Sequence, residues 1–255
     1  MTADGMLTGR TVVITGAGDG VGRGIALACG AAGAHVVVMA RRENGAETVG
    51  LIERRGGSGE WVRGDVTVAA DVDGAVAAAV ARGGLDAMIH NATSRRSSEP
   101  ARLEDVDAEV WDDHAAVSLR GAYHCARSAL PALRERRGTF ILMTSPAGME
   151  GSVTLPLYGV VKGGLRGFAK SLAREWAGFG VTVNLVSPLA QTPAMVSAMR
   201  EDPALADRLA ARVPMSRLGD AETDIGPVVV FLAGPGAGYV TGQTLPVDGG
   251  RFMTL

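Results

Sequence analysis

The sequence contains little cysteine, and its few histidines are scattered along the chain. The two cysteines, Cys29 and Cys125, lie in apolar stretches with helical spacing, which is typical of small core residues in a reducing compartment. The four histidines show no spacing that would bring metal ligands together; they are His35, His90, His114 and His124. We therefore expect no metal site, and we expect both cysteines to serve the core.

The sequence also lacks a strong charge of either sign and any long hydrophobic run. Its net charge of −2 gives no electrostatic reason to expect binding to nucleic acid or to an anionic membrane. The first ten residues, MTADGMLTGR, contain no apolar signal core. Charge or glycine interrupts every hydrophobic run well short of the about 18 residues that span a bilayer. These absences predict a cytoplasmic protein without a nucleic-acid or membrane partner.

Short β-branched runs alternate with longer helical patterns through all 255 residues, of which 47% are hydrophobic. A long helical region is predicted over 105–137, with Pro131 kinking or ending part of it. The predicted strands cover 11–15, 35–40, 60–65, 85–90, 139–144, 181–187 and 243–248. Strict alternation, with strands that are apolar on both faces, predicts a parallel sheet between helices. The expected α/β fold is a Rossmann-type doubly wound sheet of about seven strands, with helices on both faces, as one domain over 1–255.

The stretch TGAGDGVG, residues 15–22, follows the first strand and opens the first helix. Glycines at Gly16, Gly20 and Gly22 permit a tight turn and let backbone N–H groups approach a pyrophosphate, with Val21 between them. The helix N-terminus adds favourable charge for an anion. This strand–turn–helix context predicts dinucleotide binding at the turn.

The end of the second strand, MARR, bears on the choice of cofactor. Ala40 is neutral, and Arg41 and Arg42 follow at once, which favours the 2′-phosphate of NADP over the 2′-hydroxyl of NAD. Two solvated loop arginines are the alternative. Asp19, a negative charge inside the glycine-rich turn, argues against NADP. We expect NADP(H), with NAD(H) as the other possibility.

One helical segment, YGVVKGGLRG at 158–167, combines a reactive pair with four glycines. Tyr158 and Lys162 share a helix face, and a nearby ammonium stabilises a phenolate, so we expect a lowered pKa for Tyr158. Gly159, Gly163 and Gly167 form a stripe that lets another backbone come close. That backbone belongs either to a second subunit or to a neighbouring helix of the same chain.

Taken together, these motifs resemble those of the classical short-chain dehydrogenases/reductases over essentially the whole chain. The matching stretches are TGAGDGVG at 15–22, DV at 65–66, HNA at 90–92, TSPAG at 144–148, YGVVK at 158–162, NLVSP at 184–188 and GYVTGQTLPVDGG at 238–250. The resemblance implies a catalytic Tyr158 and Lys162, with Ser145 thirteen residues before the tyrosine. Lys162 would also bind the nicotinamide ribose.

The same resemblance implies further cofactor contacts. Asp65 with Val66, after the third strand, would hold the adenine edge, although a solvated loop aspartate is an alternative reading of the sequence. The remaining implied contacts are Asn91, Ala92, Pro188 and Thr192.

Three positions depart from the family pattern. Ser118 stands where the family has a catalytic asparagine that holds a water in a proton relay from the lysine. Thr93 and Leu189 replace glycines that lie along the cofactor. We therefore include Ser118 among the catalytic candidates and expect a looser relay and a reshaped nicotinamide pocket.

The resulting functional expectation is an NADP(H)-dependent oxidoreductase that transfers hydride between nicotinamide and a carbonyl or secondary alcohol, with Tyr158 as acid and base. The alternatives are an NAD(H)-dependent alcohol dehydrogenase and a nucleotide-binding regulator with little turnover. Residues 191–215 should form an apolar lid, which favours an apolar substrate. The resemblance implies a homodimer or homotetramer.

Overall fold

The computed structural model describes residues 5–191, 193–202 and 204–253, so the predicted cofactor residue Thr192 lies outside the described residues. Within these ranges, parallel strands follow one another in the order of the chain. They are β1 (Thr11–Thr15), β2 (His35–Ala40), β3 (Ser58–Arg63), β4 (Ala87–His90), β5 (Thr139–Met143), β6 (Thr182–Pro188) and β7 (Thr244–Val247).

The strands of the described chain form one seven-stranded sheet with the order β3-β2-β1-β4-β5-β6-β7, and every pairing is parallel. The strand order reverses between β1 and β4. In sheets of this kind a ligand binds beyond the carboxyl ends of the strands at that point. The predicted α/β fold, a doubly wound parallel sheet of about seven strands, is confirmed.

Helices connect the strands and cover both faces of the sheet. They are α1 (Gly20–Ala31), α2 (Asn44–Arg54), α3 (Ala69–Ala81), α4 (Ala108–His114), α5 (Gly121–Arg136), α6 (Ala147–Glu150), α7 (Pro156–Trp176), α8 (Pro193–Glu201), α9 (Ala204–Ala210) and α10 (Gly226–Ala233). One core packs α3, α5 and α7 against the sheet, and the other packs α1, α2 and α10 against the opposite face. None of the described helices combines the length and apolar character needed to cross a bilayer.

The predicted positions of β1 and β2 coincide with those in the structure, whereas β4 begins two residues later than predicted, at Ala87. All five residues of β1 and of β5 are buried, because each has a paired strand on both sides and helices on both faces. The third strand lies two residues earlier than predicted, at Ser58–Arg63 instead of 60–65. It is an edge strand of half-buried, polar residues, so no apolar run marks its start.

The predicted long helical region divides into α4, a π-helical segment (Ala115–Arg120) and α5. Pro131 lies inside α5 and does not end it. Proline removes the hydrogen bond to the carbonyl four residues earlier. Here that carbonyl belongs to Arg127, on the exposed side of the helix, where water can satisfy it.

The glycine stripe of α7 packs in part against the chain itself. A Cβ at Gly159 would lie 3.1 Å from the carbonyl oxygen of Ala147, and one at Gly163 would lie 3.4 Å from that of Gly148. A Cβ at Gly167 would meet nothing within 4 Å. The first two glycines therefore serve the contact between α6 and α7, and Gly167 leaves an open position.

We predict that Gly167→Ala raises the free energy of unfolding by about 1 kcal/mol, because glycine is costly inside a helix and the new methyl group meets no neighbour. Gly148→Ala should lower it, since its Cβ would lie 2.5 Å from the carbonyl carbon of Lys162. Urea unfolding followed by circular dichroism measures both changes. A destabilising Gly167→Ala substitution would contradict an open face and point to packing against another subunit.

Candidate active site

A cavity of about 440 Å³ lies beyond the carboxyl ends of the strands, where the strand order reverses. It runs from the turn between β1 and α1 to the start of α7. The predicted cofactor residues that line it are Gly16, Asp19, Gly20, Val21, Gly22, Arg41, Arg42, Asp65, Val66, Asn91, Ala92, Tyr158, Lys162 and Pro188. The fold thus brings together residues that the sequence spreads over more than half of the chain.

The turn after β1 is shaped by glycine. Gly16 has a φ of +66°, and a Cβ there would lie 2.9 Å from the Cα of Ala92. A Cβ at Gly22 would overlap the carbonyl oxygen of Gly16. Thr15 Oγ1 accepts hydrogen bonds from the backbone N–H groups of Asn91 and Ala92 and so ties β1 to β4.

These contacts leave a backbone-lined cradle at the N-terminus of α1, with no side chain on the glycines to fill it. Backbone N–H groups at a helix start suit the negative charge of a pyrophosphate. The residues present at this turn therefore fit the pyrophosphate of a dinucleotide.

Two ion pairs define the opposite end of the cavity. Arg41 Nη1 lies 3.2 Å from Asp65 Oδ2, and Arg42 Nη2 lies 3.5 Å from Asp19 Oδ2. Burial would raise the pKa of Asp65, but hydrogen bonds from Thr67 and the contact with Arg41 outweigh it and hold that pKa below its usual value. Both guanidinium groups therefore border the cavity with a carboxylate already beside them.

At the inner end, Lys162 is buried and its Nζ donates a hydrogen bond of 2.9 Å to the carbonyl oxygen of Met143, the last residue of β5. The same Nζ lies 5.4 Å from the centre of the Tyr158 ring. Ser145, just past β5, does not line the cavity but its side chain hydrogen-bonds to Tyr158. The three residues predicted as a catalytic group thus meet in space.

A lowered pKa is predicted for Tyr158 from the sequence, and the structure indicates a shift in the opposite direction. Burial raises the pKa of Tyr158 above its ordinary value, and the hydrogen bond with Ser145 offsets this only in part. Burial also lowers the pKa of Lys162 to about 8. The prediction was wrong because it considered the charge of the nearby ammonium and left out the desolvation of the phenol, which acts in the opposite direction.

Ser118 lies in the π-helical segment, fully buried, and it is not among the described residues that line the cavity. Its Oγ is 3.4 Å from Thr93 Oγ1, and its carbonyl oxygen accepts a hydrogen bond from His90 Nε2 at 3.1 Å. Leu189 also lies outside that lining; its backbone pairs with Val247 and Gly219. Of the three departures from the family pattern, Thr93 lines the cavity.

Sequence reasoning missed several polar residues of the lining. Asn44, at the start of α2, donates to Asp19 Oδ2 at 3.3 Å. Ser94 lines the cavity and hydrogen-bonds to Asp113 of α4, and Ser97 and Thr144 are further lining residues. Two signals in the sequence could have found Ser94, Ser97 and Thr144: the run of hydroxyl and basic residues between 93 and 98, and the motif TSPAG, which begins with Thr144.

A doubly wound parallel sheet with a glycine-rich cradle and a tyrosine–lysine pair at one cavity defines a dinucleotide-dependent oxidoreductase. Residues 16–251 match the family described as "Enoyl-(Acyl carrier protein) reductase". The chain belongs to the classical short-chain dehydrogenases/reductases, and the resemblance seen in its motifs is confirmed.

Two relatives and two solved structures illustrate the match. The chain is 35% identical over 247 residues to the 3-oxoacyl-(acyl-carrier-protein) reductase FabG of Escherichia coli strain K12. The matched region covers 96% of this chain and 98% of the FabG chain. It is 33% identical over 248 residues to the FabG of Staphylococcus aureus strain Mu50, with the same coverage.

Among structures, a short-chain type dehydrogenase/reductase from Mycobacterium ulcerans superimposes with a TM-score of 0.88 at 29% identity, covering 96% of this chain and 90% of that one. A protein from Beutenbergia cavernae, provisionally described as an NAD(P)-dependent gluconate 5-dehydrogenase, contains NADP at low occupancy. It superimposes with a TM-score of 0.86 at 33% identity and covers 96% of this chain and 97% of that one.

The buried lysine leads to a prediction about stability and pH. We expect the free energy of unfolding of the wild type to rise, relative to that of Lys162→Met, between about pH 8 and pH 10.5. In that interval the unfolded chain holds a proton on the lysine that the folded chain has lost, so raising the pH favours folding, by on the order of 2 kcal/mol.

Urea unfolding at several pH values measures this difference. Lys170→Met, an exposed lysine of the same helix, is the matched control and should show no such trend. A difference between wild type and Lys162→Met that stays constant with pH would contradict the lowered pKa.

Proposed function

We propose that the protein is an NADP(H)-dependent oxidoreductase that transfers hydride between nicotinamide and a carbonyl or secondary alcohol. The observation that carries the proposal is the shared cavity: Tyr158 and Lys162 line the same space as the glycine-rich turn and the two arginines after β2. A cofactor long enough to reach from the arginines to the tyrosine would bring its reactive end to the acid–base pair.

Each part of the cavity has a role in holding the cofactor. The turn at Gly16, Gly20 and Gly22 and the N-terminus of α1 would take the pyrophosphate. Arg41 and Arg42 would face the phosphate on the adenosine ribose, and Lys162 would bind the nicotinamide ribose. When bound, the reduced cofactor supplies the hydride.

Tyr158 would donate its phenolic proton to the carbonyl oxygen of the substrate. Burial raises its pKa, so the phenol is protonated at neutral pH and can act as the acid when a carbonyl is reduced. Ser145, which already hydrogen-bonds to Tyr158, would also donate to the substrate oxygen where negative charge develops.

Reprotonation of Tyr158 is the step in which Ser118 would take part. Its hydroxyl faces Thr93 and its carbonyl is occupied by His90 Nε2, so a relay at this position would run through the pair of hydroxyl groups rather than through an amide. Thr93 lines the cavity and would connect this pair with the substrate side.

The names of the relatives support a ketone as the reacting group, since FabG reductases act on a 3-oxoacyl group. The NADP in the Beutenbergia cavernae protein supports the cofactor. We further propose that the segment with α8 and α9 covers the substrate as a lid over 191–215, and that the protein forms a homodimer or homotetramer.

We predict that Tyr158→Phe lowers kcat by roughly a hundredfold or more, because it removes the hydroxyl group that would supply the proton to the substrate oxygen. Cofactor binding and thermal stability should change little. The measurement is steady-state reduction of a ketone panel with NADPH. Tyr123→Phe, an exposed tyrosine of α5, is the matched control and should keep full activity. More than about a tenth of the wild-type kcat in Tyr158→Phe, about 1.4 kcal/mol in barrier, would reject this role.

The choice of cofactor leads to a second prediction for this site. Arg41→Ala should weaken NADPH binding roughly tenfold and leave NADH nearly unchanged, because the lost charge faces a phosphate that NADH lacks. Asp19→Asn should tighten NADPH, since it removes a negative charge from the cavity. Fluorescence titration with each cofactor gives the dissociation constants.

Arg54→Ala, at the end of α2 and outside the described cavity lining, changes the net charge by the same amount and serves as the control. Equal dissociation constants for NADPH and NADH in the wild type would refute the assignment and favour the NAD(H)-dependent alternative.

A further inference from the structure

A second, smaller cavity of about 130 Å³ adjoins the main one, and Tyr158 and Ser97 line both. We call it the side chamber. It lies between the segment after β4, the helix α4 and the start of α7, with Val110 and Leu157 among its walls. Because it shares Tyr158 with the main cavity, a substrate whose carbonyl meets the phenol can extend a short branch into this chamber.

His114, the last residue of α4, lines the side chamber and is only 3% exposed. Its Nδ1 is a buried polar atom without a hydrogen-bond partner in the structure. The ring also has a hydrogen bond to the backbone of Arg96. A neutral imidazole carries its proton on one ring nitrogen and a lone pair on the other, so the unpartnered Nδ1 can pair with a group that both donates and accepts a hydrogen bond.

The neutral form of the ring follows from its surroundings. Burial lowers the pKa of His114, with Arg96 lowering it further and Asp113 and Glu99 opposing. A buried ring nitrogen is rarely left unpaired in folded proteins. A hydroxyl group suits Nδ1, because a hydroxyl can either donate or accept the hydrogen bond.

We propose that the side chamber binds a hydroxyl group of the substrate through a hydrogen bond to Nδ1 of His114, so that the enzyme acts on hydroxylated ketones and the corresponding diols. This inference rests on the proposed function, because it takes Tyr158 as the position of the reacting carbonyl. It replaces the apolar substrate expected from the sequence with one that carries a hydrogen-bond donor close to the carbonyl.

The charges around the side chamber agree with a neutral donor rather than an anion. The acidic residues Glu99, Asp105 and Asp107 belong to its lining. Arg96 is the basic residue in the described lining, and its Nε already lies 3.3 Å from Glu99 Oε2. A carboxylate or phosphate on the substrate branch would therefore be repelled, whereas a hydroxyl group would find acceptors.

The test compares hydroxyketones of increasing chain length, each paired with the ketone in which a methyl group replaces the hydroxyl; hydroxyacetone with butanone is the shortest pair. We expect at least one pair in which wild-type kcat/KM favours the hydroxylated member by roughly tenfold. His114→Leu should abolish that preference. His114→Asn should retain part of it, because the amide oxygen can accept a hydrogen bond near the position of Nδ1.

Control variants show whether loss of the preference for the hydroxylated ketone is specific to His114. His35→Leu removes a histidine at the opposite end of the strands, where it contacts Ser58 and Glu60, and should leave the preference intact. If His114→Leu does not fold, the comparison of wild type with His114→Asn still measures the contribution of the ring. Equal kcat/KM for both members of every pair in wild type would overturn the inference and leave the proposed function standing.

A binding measurement distinguishes failure of the side-chamber assignment from failure of the proposed function. The dissociation constants of the same pairs are measured by calorimetry on the NADPH-loaded protein and on His114→Leu. If no ketone is turned over, yet hydroxyketones bind more tightly to wild type and not to His114→Leu, the proposed function fails and the chamber assignment stands. If the chamber holds only water, neither turnover nor binding distinguishes the members of a pair, and the assignment is rejected.

Discussion

The hydrogen bond from the Lys162 ammonium to the carbonyl oxygen of Met143 is the contact on which the arrangement of the site depends. It joins the middle of α7 to the end of β5 at 2.9 Å, with the lysine buried. Thr144 Oγ1 donates to the carbonyl of Lys162 at 3.1 Å, so the two elements are bonded in both directions. A buried ammonium without such a partner would cost several kcal/mol. Tyr158, one turn earlier on α7, is thereby held where it lines both cavities.

The same burial determines the electrostatics of the site. It raises the pKa of Tyr158 and lowers that of Lys162 to about 8, so both groups move toward their uncharged forms. The pair therefore begins as a protonated phenol beside an ammonium that is easily neutralised. Desolvation by packing therefore shifts the pKa values of this pair more than the charge of the ammonium does.

The alternation of strands and helices could be read from the sequence because burial of a parallel sheet on both faces requires runs of apolar, β-branched residues. The prediction was accurate at β1 and β5, which are fully buried, and displaced at β3, whose edge position removes that requirement. Of the two outcomes expected at Pro131, a kink or a helix end, the structure excludes the end, because α5 continues past the proline to Arg136.

For the site, local spacing was enough to identify the glycine-rich turn and the shared helix face of Tyr158 and Lys162, since both depend on residues close together in the chain. The pairing of Arg41 with Asp65, of Ser118 with Thr93, and the unpartnered Nδ1 of His114 could not be read from the sequence. Each depends on distances between segments that meet only when the strands align. The direction of the pKa shifts could not be predicted from the sequence either, because desolvation depends on how the folded protein packs around each group.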